Sequence, residues 1–289
     1  MKNKSITKKI ITIIIIFIIL GVILFFGFIF KGKTFNEGIF SLNLGYINWK
    51  SSKKDDLVLC PKLNNNDIKE LNNSFSVVGL SGGLDYWCNM QIIKILNNKN
   101  IISSLPKEMG KLNNLQELII SHTKINGNIP KEIGNLSKLK YLQLWDNNLT
   151  GEIPKEIGNL SELIQLIVWK NNLTGKIPSE IIKLKSLKIL EIYGNKLGGK
   201  LPEEIGKLDN LIVLKIVNNN IEGRIPKEIG NLNNLSVLDL HGNKLSGKIP
   251  EEMQKLDKLI NLFLYDNDFI NKNIRGNLMK NNSLENILK

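Results

Sequence analysis

The sequence predicts an α/β repeat solenoid, which is a right-handed coil with a concave parallel β-sheet, preceded by a single transmembrane helix. Two observations lead to the solenoid. One pattern recurs with a period of 24 between residues 112 and 255 without an insertion, and leucines alternate inside each copy. A period this strict is typical of stacked structural repeats. A third observation, an uninterrupted apolar run at residues 10–30, predicts the transmembrane helix.

Each of the six repeats supplies one short strand and one layer of core. The pattern is close to L-x-x-L-x-x-L-x-L-x-x-N-x-L-x-G-x-I-P-x-x-I-G-x, and the repeats begin at Leu112, Leu136, Leu160, Leu184, Leu208 and Leu232. In the second repeat, Leu142 and Leu144 are separated by one residue and so point to the same side of a strand. A single repeat cannot bury its leucines, but stacked repeats can. We therefore expect about seven parallel strands on the concave face, at ~4.8 Å spacing.

The polar, glycine and proline positions predict the rest of each coil. Glycine follows the strand region in every repeat and fits a tight turn or a turn with positive φ. The proline that comes next fixes φ and lacks an N–H donor, which suits the extended convex side better than a central strand. The segment after each proline is predicted to form one helical or 3-10 turn. These turn glycines are Gly127, Gly151, Gly175, Gly199, Gly223 and Gly247.

The combined leucine, asparagine, glycine and Ile-Pro positions resemble the leucine-rich repeats of plant-type receptors and polygalacturonase-inhibitor-like proteins. The resemblance is clear over residues 112–270 and loose over 88–111. It implies that the asparagine of each repeat hydrogen-bonds the backbone of neighbouring coils, where buried polar groups need partners. Thr123 replaces it in the first repeat. The implied ladder is Asn147, Asn171, Asn195, Asn219, Asn243 and Asn267.

The resemblance also implies a cap in front of the repeats. Trp87 and Cys88 resemble the tryptophan and cysteine that precede plant-type repeats, and Cys60 is the only other cysteine. A disulfide between Cys60 and Cys88 is therefore expected, with stabilisation of about 3 kcal/mol on the chain-entropy account. Two unpaired thiols remain the alternative.

The chain divides into six segments. In the degenerate first repeat, Lys94 falls where a core leucine is expected, so we predict a register shift by a single position that turns Ile93 and Ile95 inward. The short apolar segment at the carboxyl end is expected to shield the last coil. The segments are a cytoplasmic tail at 1–9, a transmembrane signal anchor at 10–30, a stalk at 31–59, a cap with the degenerate repeat at 60–111, six repeats at 112–255, and a partial repeat with a carboxyl-terminal cap at 256–289.

The apolar run at 10–30 predicts both an anchor and its orientation. Thr12 is its only polar residue. A helix over this run would be about 31 Å long, which matches the hydrocarbon core of a bilayer. Four lysines precede the run, whereas Lys31 and Lys33 follow it, which places the amino terminus in the cytoplasm. The repeats are then extracellular or lumenal. A cleaved or otherwise processed leader is the alternative, although the run is longer than a usual signal peptide core.

The residue after the second strand leucine forms an outward column on the concave face: Ser121, Trp145, Trp169, Tyr193, Val217, His241 and Tyr265. Four of the seven are aromatic and are predicted to stack in a line. Such side chains suit protein hot spots and sugar rings, although the rings can also merely cover one another. The candidate ligand-binding residues are Trp145, Trp169, Tyr193, His241, Tyr265, Tyr141, Lys170, Glu191, Lys215 and Asp239.

Charge argues against a nucleic-acid partner. The formal charge is +12, but the segment 1–33 contains six lysines and no acids, so the exported part is near +6. Acidic and basic residues on the concave face nearly balance, and a polyanion would require a basic stripe there. Lysines at convex and loop positions, such as Lys131, Lys155, Lys176 and Lys200, are interpreted as solvated surface.

The sequence indicates a binding protein rather than an enzyme, with no cofactor and no metal site. His122 and His241 are about five coils apart and in different columns, and no phosphate-binding glycine loop or metal-spaced Cys/His set appears. The leading hypothesis is a membrane-anchored protein, without its own signalling domain, that binds a protein, peptide or carbohydrate and acts through a possible signalling co-receptor. The alternatives are an inhibitor of a secreted wall-degrading hydrolase, a structural or adhesive surface protein, and a cytosolic scaffold.

Glycosylation is expected at N-x-S/T triplets in a eukaryotic secretory pathway; they begin at Asn72, Asn135, Asn148, Asn159, Asn172, Asn234 and Asn281.

Overall fold

The computed structural model describes residues 63–75, 84–101 and 103–271, all within one compact unit that runs from 42 to 289. The predicted anchor at 10–30, the stalk, Cys60 and the carboxyl-terminal cap beyond residue 271 lie outside the described residues. Within the described ranges, no helix is long and apolar enough to cross a membrane. The orientation of the chain and the disulfide therefore stay predictions.

In the part of the chain that the structure describes, the concave face is one continuous parallel sheet of eight strands that follow one another in chain order. From the second strand onwards, paired residues are related by the repeat period, as in the pairing of Leu142 with Leu166. The eighth strand, beyond the seven expected, comes from the degenerate first repeat. Numbering all strands along the chain, the sheet contains β1 (Ile92–Leu96), β2 (Glu117–Ser121), β4 (Tyr141–Gln143), β6 (Gln165–Ile167), β7 (Ile189–Glu191), β9 (Val213–Lys215), β11 (Val237–Asp239) and β13 (Asn261–Phe263).

The first strand pairs with the predicted offset. Ile93 is opposite Leu118, one position further along the chain than the regular period would place its partner. Ile93 and Ile95 are consequently buried, whereas Lys94 between them is partly exposed. The register shift inferred from Lys94 is confirmed, and it follows from the need to bury one face of the strand.

A second set of short parallel strands lies between the concave strand and the convex helix of each repeat, and we call it the flank ladder. It contains β3 (Asn126–Asn128), β5 (Asn148–Thr150), β8 (Gly198–Lys200), β10 (Asn220–Gly223), β12 (Lys244–Lys248) and β14 (Asp268–Asn271). The strand β3 pairs with β5, and the other four form a separate sheet. The repeat at 160–183 contributes only isolated bridges, at Thr174 and Lys176. The sequence predicted the glycine turns here, with φ values between 71° and 80°, but not the strands.

Over the described residues, the convex side is a row of seven 3-10 helices, in agreement with the helical or 3-10 turn predicted after each proline. In five of them a glycine allows close stacking; a Cβ at Gly158 would lie 2.4 Å from the carbonyl oxygen of Glu180 in the next helix. Ile182 and Gln254 stand at this position in two other repeats, and the helix that contains Ile182 packs less closely on the helix after it. The helices are Lys107–Lys111, Lys131–Asn135, Lys155–Asn159, Ser179–Lys183, Glu203–Lys207, Lys227–Asn231 and Glu251–Lys255.

The hydrophobic core runs through the coil and ends under a helical cap at the amino-terminal side. The cap comprises α1 (Asn65–Phe75) and α2 (Leu84–Cys88). Phe75 and Trp87 are buried against the first repeat, and the Trp87 indole Nε1 donates to the Asn72 side-chain oxygen at 3.0 Å. Cys88 is also buried, at 2% exposure. The cap therefore covers the leucines that the first coil would otherwise expose.

An ion pair fastens this cap to the convex side. The Lys111 ammonium lies 2.7 Å from the Asp67 carboxylate, which is buried. Burial raises the pKa of Asp67, but the hydrogen bond from Lys111 and a backbone N–H from Asn64 outweigh it, so the pKa is lowered overall. The carboxylate therefore remains charged and paired at neutral pH.

Candidate ligand-binding face

The asparagine ladder holds the concave face in place. The Asn171 side-chain oxygen accepts from the backbone N–H of Leu149 at 3.0 Å, and its amide donates to the carbonyl oxygens of Leu144 and Val168. All six predicted asparagines accept or donate in this way across coils. Thr123, in the first repeat, donates to Asn147 instead. The ladder therefore satisfies buried backbone groups immediately after each position of the outward column.

The residue after each column position has a left-handed backbone conformation. The φ values lie between 50° and 66° at His122, Asp146, Lys170, Gly194, Asn218, Gly242 and Asp266. This conformation disfavours most residues but is more accessible to Gly, Asn and Asp. Those three residue types fill five of the seven positions, which is a signal in the sequence that the prediction did not use. The left-handed residue turns the chain from the sheet towards the asparagine.

Four rings form the aromatic column, which we define as His122, Trp145, Trp169 and Tyr193. The His122 ring meets Trp145 edge-on at 4.4 Å, Trp145 stacks on Trp169 at 4.4 Å, and Trp169 stacks on Tyr193 at 4.9 Å. The separations match the spacing of the strands beneath, about 4.8 Å. The predicted stacking is present for Trp145, Trp169 and Tyr193 but not for Tyr265, which lies outside this line. His122 is the first ring of the aromatic column, a position that the prediction gave to Ser121, and Ser121 is fully buried.

The rings of the aromatic column are unequally exposed. Trp169 lies between two other rings and keeps only 8% of its surface exposed, whereas Trp145 and Tyr193 are partly exposed. The exposed Lys170 ammonium lies 5.4 Å from the Trp169 ring centroid, within the range of a cation–π contact. The aromatic column therefore fits both interpretations in part. The rings cover one another at Trp169, whereas Trp145 and Tyr193 leave ring surface that a ligand could contact.

Val217 interrupts the line of rings. It is 5% exposed and separates the aromatic column from a second group, in which His241 stacks on Tyr265 at 4.2 Å. Phe263 meets Tyr265 edge-on at 6.4 Å. The candidate residues therefore form two clusters rather than one continuous strip.

Three carboxylates on this face each contact a lysine or histidine side chain. Lys215 lies 3.0 Å from the buried carboxylate of Glu191, and the His241 Nδ1 lies 2.6 Å from Asp239. His122 contacts Asp146 in the same manner. The pairing explains how the face keeps a nearly neutral balance while placing carboxylates beside rings.

Two tyrosines on this face have a raised hydroxyl pKa. Burial raises the pKa of Tyr193 far above its ordinary value, and the negative charges of Glu191 and Asp146 raise it further. Burial, together with Asp239 and Asp266, also raises the pKa of Tyr265. Both phenols consequently remain protonated at any physiological pH and keep a hydrogen-bond donor.

The structure brings most of the predicted residues together on this face. Tyr141 lies partly buried on β4, in the same coil as Trp145. Lys170 lies over the Trp169 ring, and Lys215 pairs with Glu191, whose charge acts on Tyr193. Asp239 belongs to the second cluster with His241 and Tyr265. Among the residues described, no group of three or more His, Cys, Asp or Glu side chains is placed to hold a metal ion.

Comparisons with protein families match the repeat region. A family model described as a leucine-rich repeat region matches residues 128–222, and one described as a leucine rich repeat matches 114–136 and 234–256. No curated protein sequence matches the chain.

Solved plant structures share the fold. A plant peptide hormone receptor, RGFR1 in complex with RGF2, is 33% identical with a TM-score of 0.56, and the match covers 64% of this chain and 33% of the receptor chain. The ectodomain of the Arabidopsis receptor kinase HAESA, in complex with an IDA peptide hormone, is 32% identical with a TM-score of 0.58, covering 63% and 30%. A plant ice-binding protein is 27% identical with a TM-score of 0.55, covering 66% and 69%. The match thus takes in about a third of each receptor chain.

Proposed function

Because this chain belongs to the leucine-rich repeat proteins and its repeats are of the plant type, we propose that its concave face binds a peptide or an extended segment of a protein. Two of the similar structures are receptors in complex with peptide hormones. This chain matches only part of each, so the proposal concerns the binding face and not the signalling of those receptors.

The aromatic column carries this proposal. Trp145 and Tyr193 offer large, rigid surfaces with polar groups at their edges, and such residues dominate the binding energy of many interfaces. Trp169 fixes both rings from the middle of the stack. Because its phenol stays protonated, Tyr193 also presents a donor beside the carboxylates. A ligand that combines an apolar ring with a polar backbone fits this surface.

We further propose that residues 10–30 anchor the protein in a membrane, with the repeats on the extracellular or lumenal side and a co-receptor as the signalling partner. The length of the apolar run and the excess of lysines before it support this orientation. Protease added to intact cells is expected to digest the repeats, and alkaline carbonate is expected to leave the chain in the membrane fraction. Protection of the repeats in sealed cells would favour the cytosolic scaffold.

The binding proposal is tested by replacing Trp145, which is partly exposed, rather than Trp169, which keeps only 8% of its surface exposed. Proteins and peptides captured by the wild-type chain are compared by mass spectrometry with those captured by Trp145→Ala. The matched control is Ile270→Ala, because Ile270 is 77% exposed and lies on the flank ladder. For a ligand so identified, Trp145→Ala should weaken binding by ~2 kcal/mol or more, roughly 30-fold. Identical capture by all three proteins would contradict the proposal.

The same experiment separates the competing functions. Captured hydrolases that lose activity on binding would support an inhibitor of wall-degrading enzymes. Capture of oligosaccharides through Trp145 would identify a sugar as the ligand, since indole faces also stack on sugar rings. An adhesive or structural protein without a specific ligand predicts that Trp145→Ala changes nothing.

A further inference from the structure

The outward column of the concave face passes from rings to a valine and back to rings. Tyr193 ends the aromatic column, Val217 follows one coil later, and His241 begins the second group of rings. We call the space above Val217, between the Tyr193 and His241 rings, the notch. A valine side chain is much shorter than either ring, so it forms the floor of the notch and leaves the upper part of the two ring faces without a ring between them.

The width of the notch matches one aromatic ring. Rings that are one coil apart stack at 4.4 Å, 4.9 Å and 4.2 Å along this column. Tyr193 and His241 are two coils apart, which is about 9.6 Å at the strand spacing. A flat ring placed midway would lie about 4.8 Å from each of them, a separation that the existing stacks already use. Val217 keeps only 5% of its surface exposed, so the floor beneath such a ring is nearly closed.

Two glycines leave one side of the notch open. The left-handed residue after each column position has a side chain in five coils, but it is Gly194 after Tyr193 and Gly242 after His241. The coils without this side chain are thus the two whose rings border the notch. In the coil between them, the Asn218 side chain lies against Gly242, in space that a Cβ there would occupy. A ligand ring can therefore enter the notch from the side of the two glycines.

Charged side chains border the other side of the notch, and each contacts a partner. Glu191, Lys215 and Asp239 lie opposite one another on β7, β9 and β11. Lys215 pairs with Glu191 at 3.0 Å, and Asp239 lies 2.6 Å from the Nδ1 of His241. A carboxylate in such a pair keeps lone pairs that can accept from an indole N–H or a phenol O–H. The notch therefore favours a ring with a polar edge over a charged group.

Given the proposed function of the concave face, on which this inference rests, we propose that the notch binds one tryptophan or tyrosine side chain of the peptide ligand. The bound ring joins the two groups of stacked rings into one line. Each of its faces stacks on a ring of the protein, and an aromatic pair contributes more than the area that it buries. Trp169 supports Tyr193 from behind and Tyr265 supports His241, so the two walls lose little side-chain freedom on binding.

The position of the notch also sets the spacing of contacts along the ligand. Trp145 is three coils away from Val217, which is about 14 Å at the strand spacing. An extended peptide covers that distance in about four residues. The ring in the notch is therefore expected about four positions before or after the ligand residue that contacts Trp145.

The test selects short peptides from a phage-displayed random library with the full chain in detergent, and then measures binding of the synthetic peptides by fluorescence anisotropy. The main variant is Val217→Phe, which fills the notch with a ring of the protein itself. The matched control is Val213→Phe, because Val213 is an outward, partly exposed valine of the same coil that lies at the start of β9, away from the notch. Filling the notch should weaken binding about tenfold or more, and the control should change it about threefold or less.

A second measurement does not depend on the folding of a variant. The tryptophan or tyrosine of each selected peptide is replaced by cyclohexylalanine, which keeps a similar apolar size but has no flat face. The wild-type chain should bind these peptides about tenfold or more weakly, because both stacking contacts are lost. An unfolding temperature of Val217→Phe at or above that of the wild type should show that this variant is folded.

The outcomes separate this proposal from that for the whole concave face. Unchanged binding by folded Val217→Phe, or equal binding of the cyclohexylalanine peptides, would overturn the notch as the site of a ring. Competition by cellohexaose that Val217→Phe abolishes would assign the notch to a sugar and overturn it as well. Peptides that lose affinity with Trp145→Ala but not with Val217→Phe would support the concave face while refuting the notch. Selection of no peptide at all would contradict both.

Discussion

The two sheets of the coil differ in continuity. The concave sheet runs unbroken through eight strands, including a first strand whose sequence has lost the repeat pattern. At the repeat 160–183 the flank ladder is reduced to isolated bridges at Thr174 and Lys176, although backbone hydrogen bonds such as that from the Thr174 N–H to the Gly151 carbonyl oxygen continue through it. In that same repeat, Ile182 replaces the glycine of the convex helix and the following helix packs less closely.

The difference shows that the two sides depend on different interactions. Buried leucines and the asparagine ladder fix the concave strands from inside, so changes at outward positions are tolerated. Close approach of backbone to backbone stacks the convex helices, and it depends on the absence of a side chain at positions such as Gly158. A single methyl group is therefore expected to matter more on the convex side than on the outer surface of the concave sheet.

The largest expected loss of stability comes from breaking the asparagine ladder under the concave sheet. Asn147→Ala removes the acceptor for the Thr123 N–H and the donor for the Ile120 and Leu144 carbonyl oxygens. Leaving several buried polar groups unpaired should lower the free energy of unfolding by ~3 kcal/mol or more. Chemical denaturation of unglycosylated protein measures this. The adjacent Asn148→Ala, at an exposed position, should stay within ~0.5 kcal/mol; equal losses would refute the role of the ladder.

A smaller effect is expected from a methyl group on the convex side. Gly158→Ala would place a Cβ 2.4 Å from the carbonyl oxygen of Glu180, and such overpacking typically costs about 1–3 kcal/mol. Ile182→Ala, at the equivalent position of the next repeat, should cost less, since the coils already accommodate a side chain there. Denaturation midpoints for the two variants provide the measurement. A greater loss at Ile182 would mean that its packing against the core outweighs the stacking of the helices.

The smallest expected effect on stability comes from the ionisation of Tyr193 on the concave face. Tyr193 has a raised pKa in the folded protein, whereas an unfolded chain ionises its tyrosines near pH ~10. The contribution of Tyr193 to stability should therefore be constant below that pH and diminish as the pH rises above it, because only the unfolded state releases the proton readily. Tyr193→Phe should flatten part of this decline, as followed by denaturation at several alkaline pH values. An unchanged slope would show that Tyr193 is accessible to solvent.

The repeat period was enough to predict the concave strands and the glycine turns, because each follows from a spacing that stacking must preserve. The asparagine ladder was implied by the resemblance to plant-type repeats. Even the irregular register at Ile93 followed from burial of alternate residues. The burial of Trp169 could not be predicted from the repeat period, since it depends on the orientation of the neighbouring rings. His122 was also missed as a stacking residue, because its contact arises from a left-handed backbone conformation.

Surfaces that join several repeats were harder to predict than single positions. The contact between His122 and Trp145, for example, joins two repeats and appears only when the coils are stacked. The flank ladder was missed for a similar reason: its strands are short and include glycine, which weakens the usual strand pattern.

The glycines of the convex helices also bear on how such an array can be lengthened. A duplicate of residues 208–231 would bring Gly230 with it and could be inserted between existing coils while preserving their tight approach. A duplicate of residues 232–255 would place Gln254 against a new neighbour and loosen that junction, as Ile182 does now. Extension, in evolution or in design, is therefore easier from the interior of the array than from its carboxyl end.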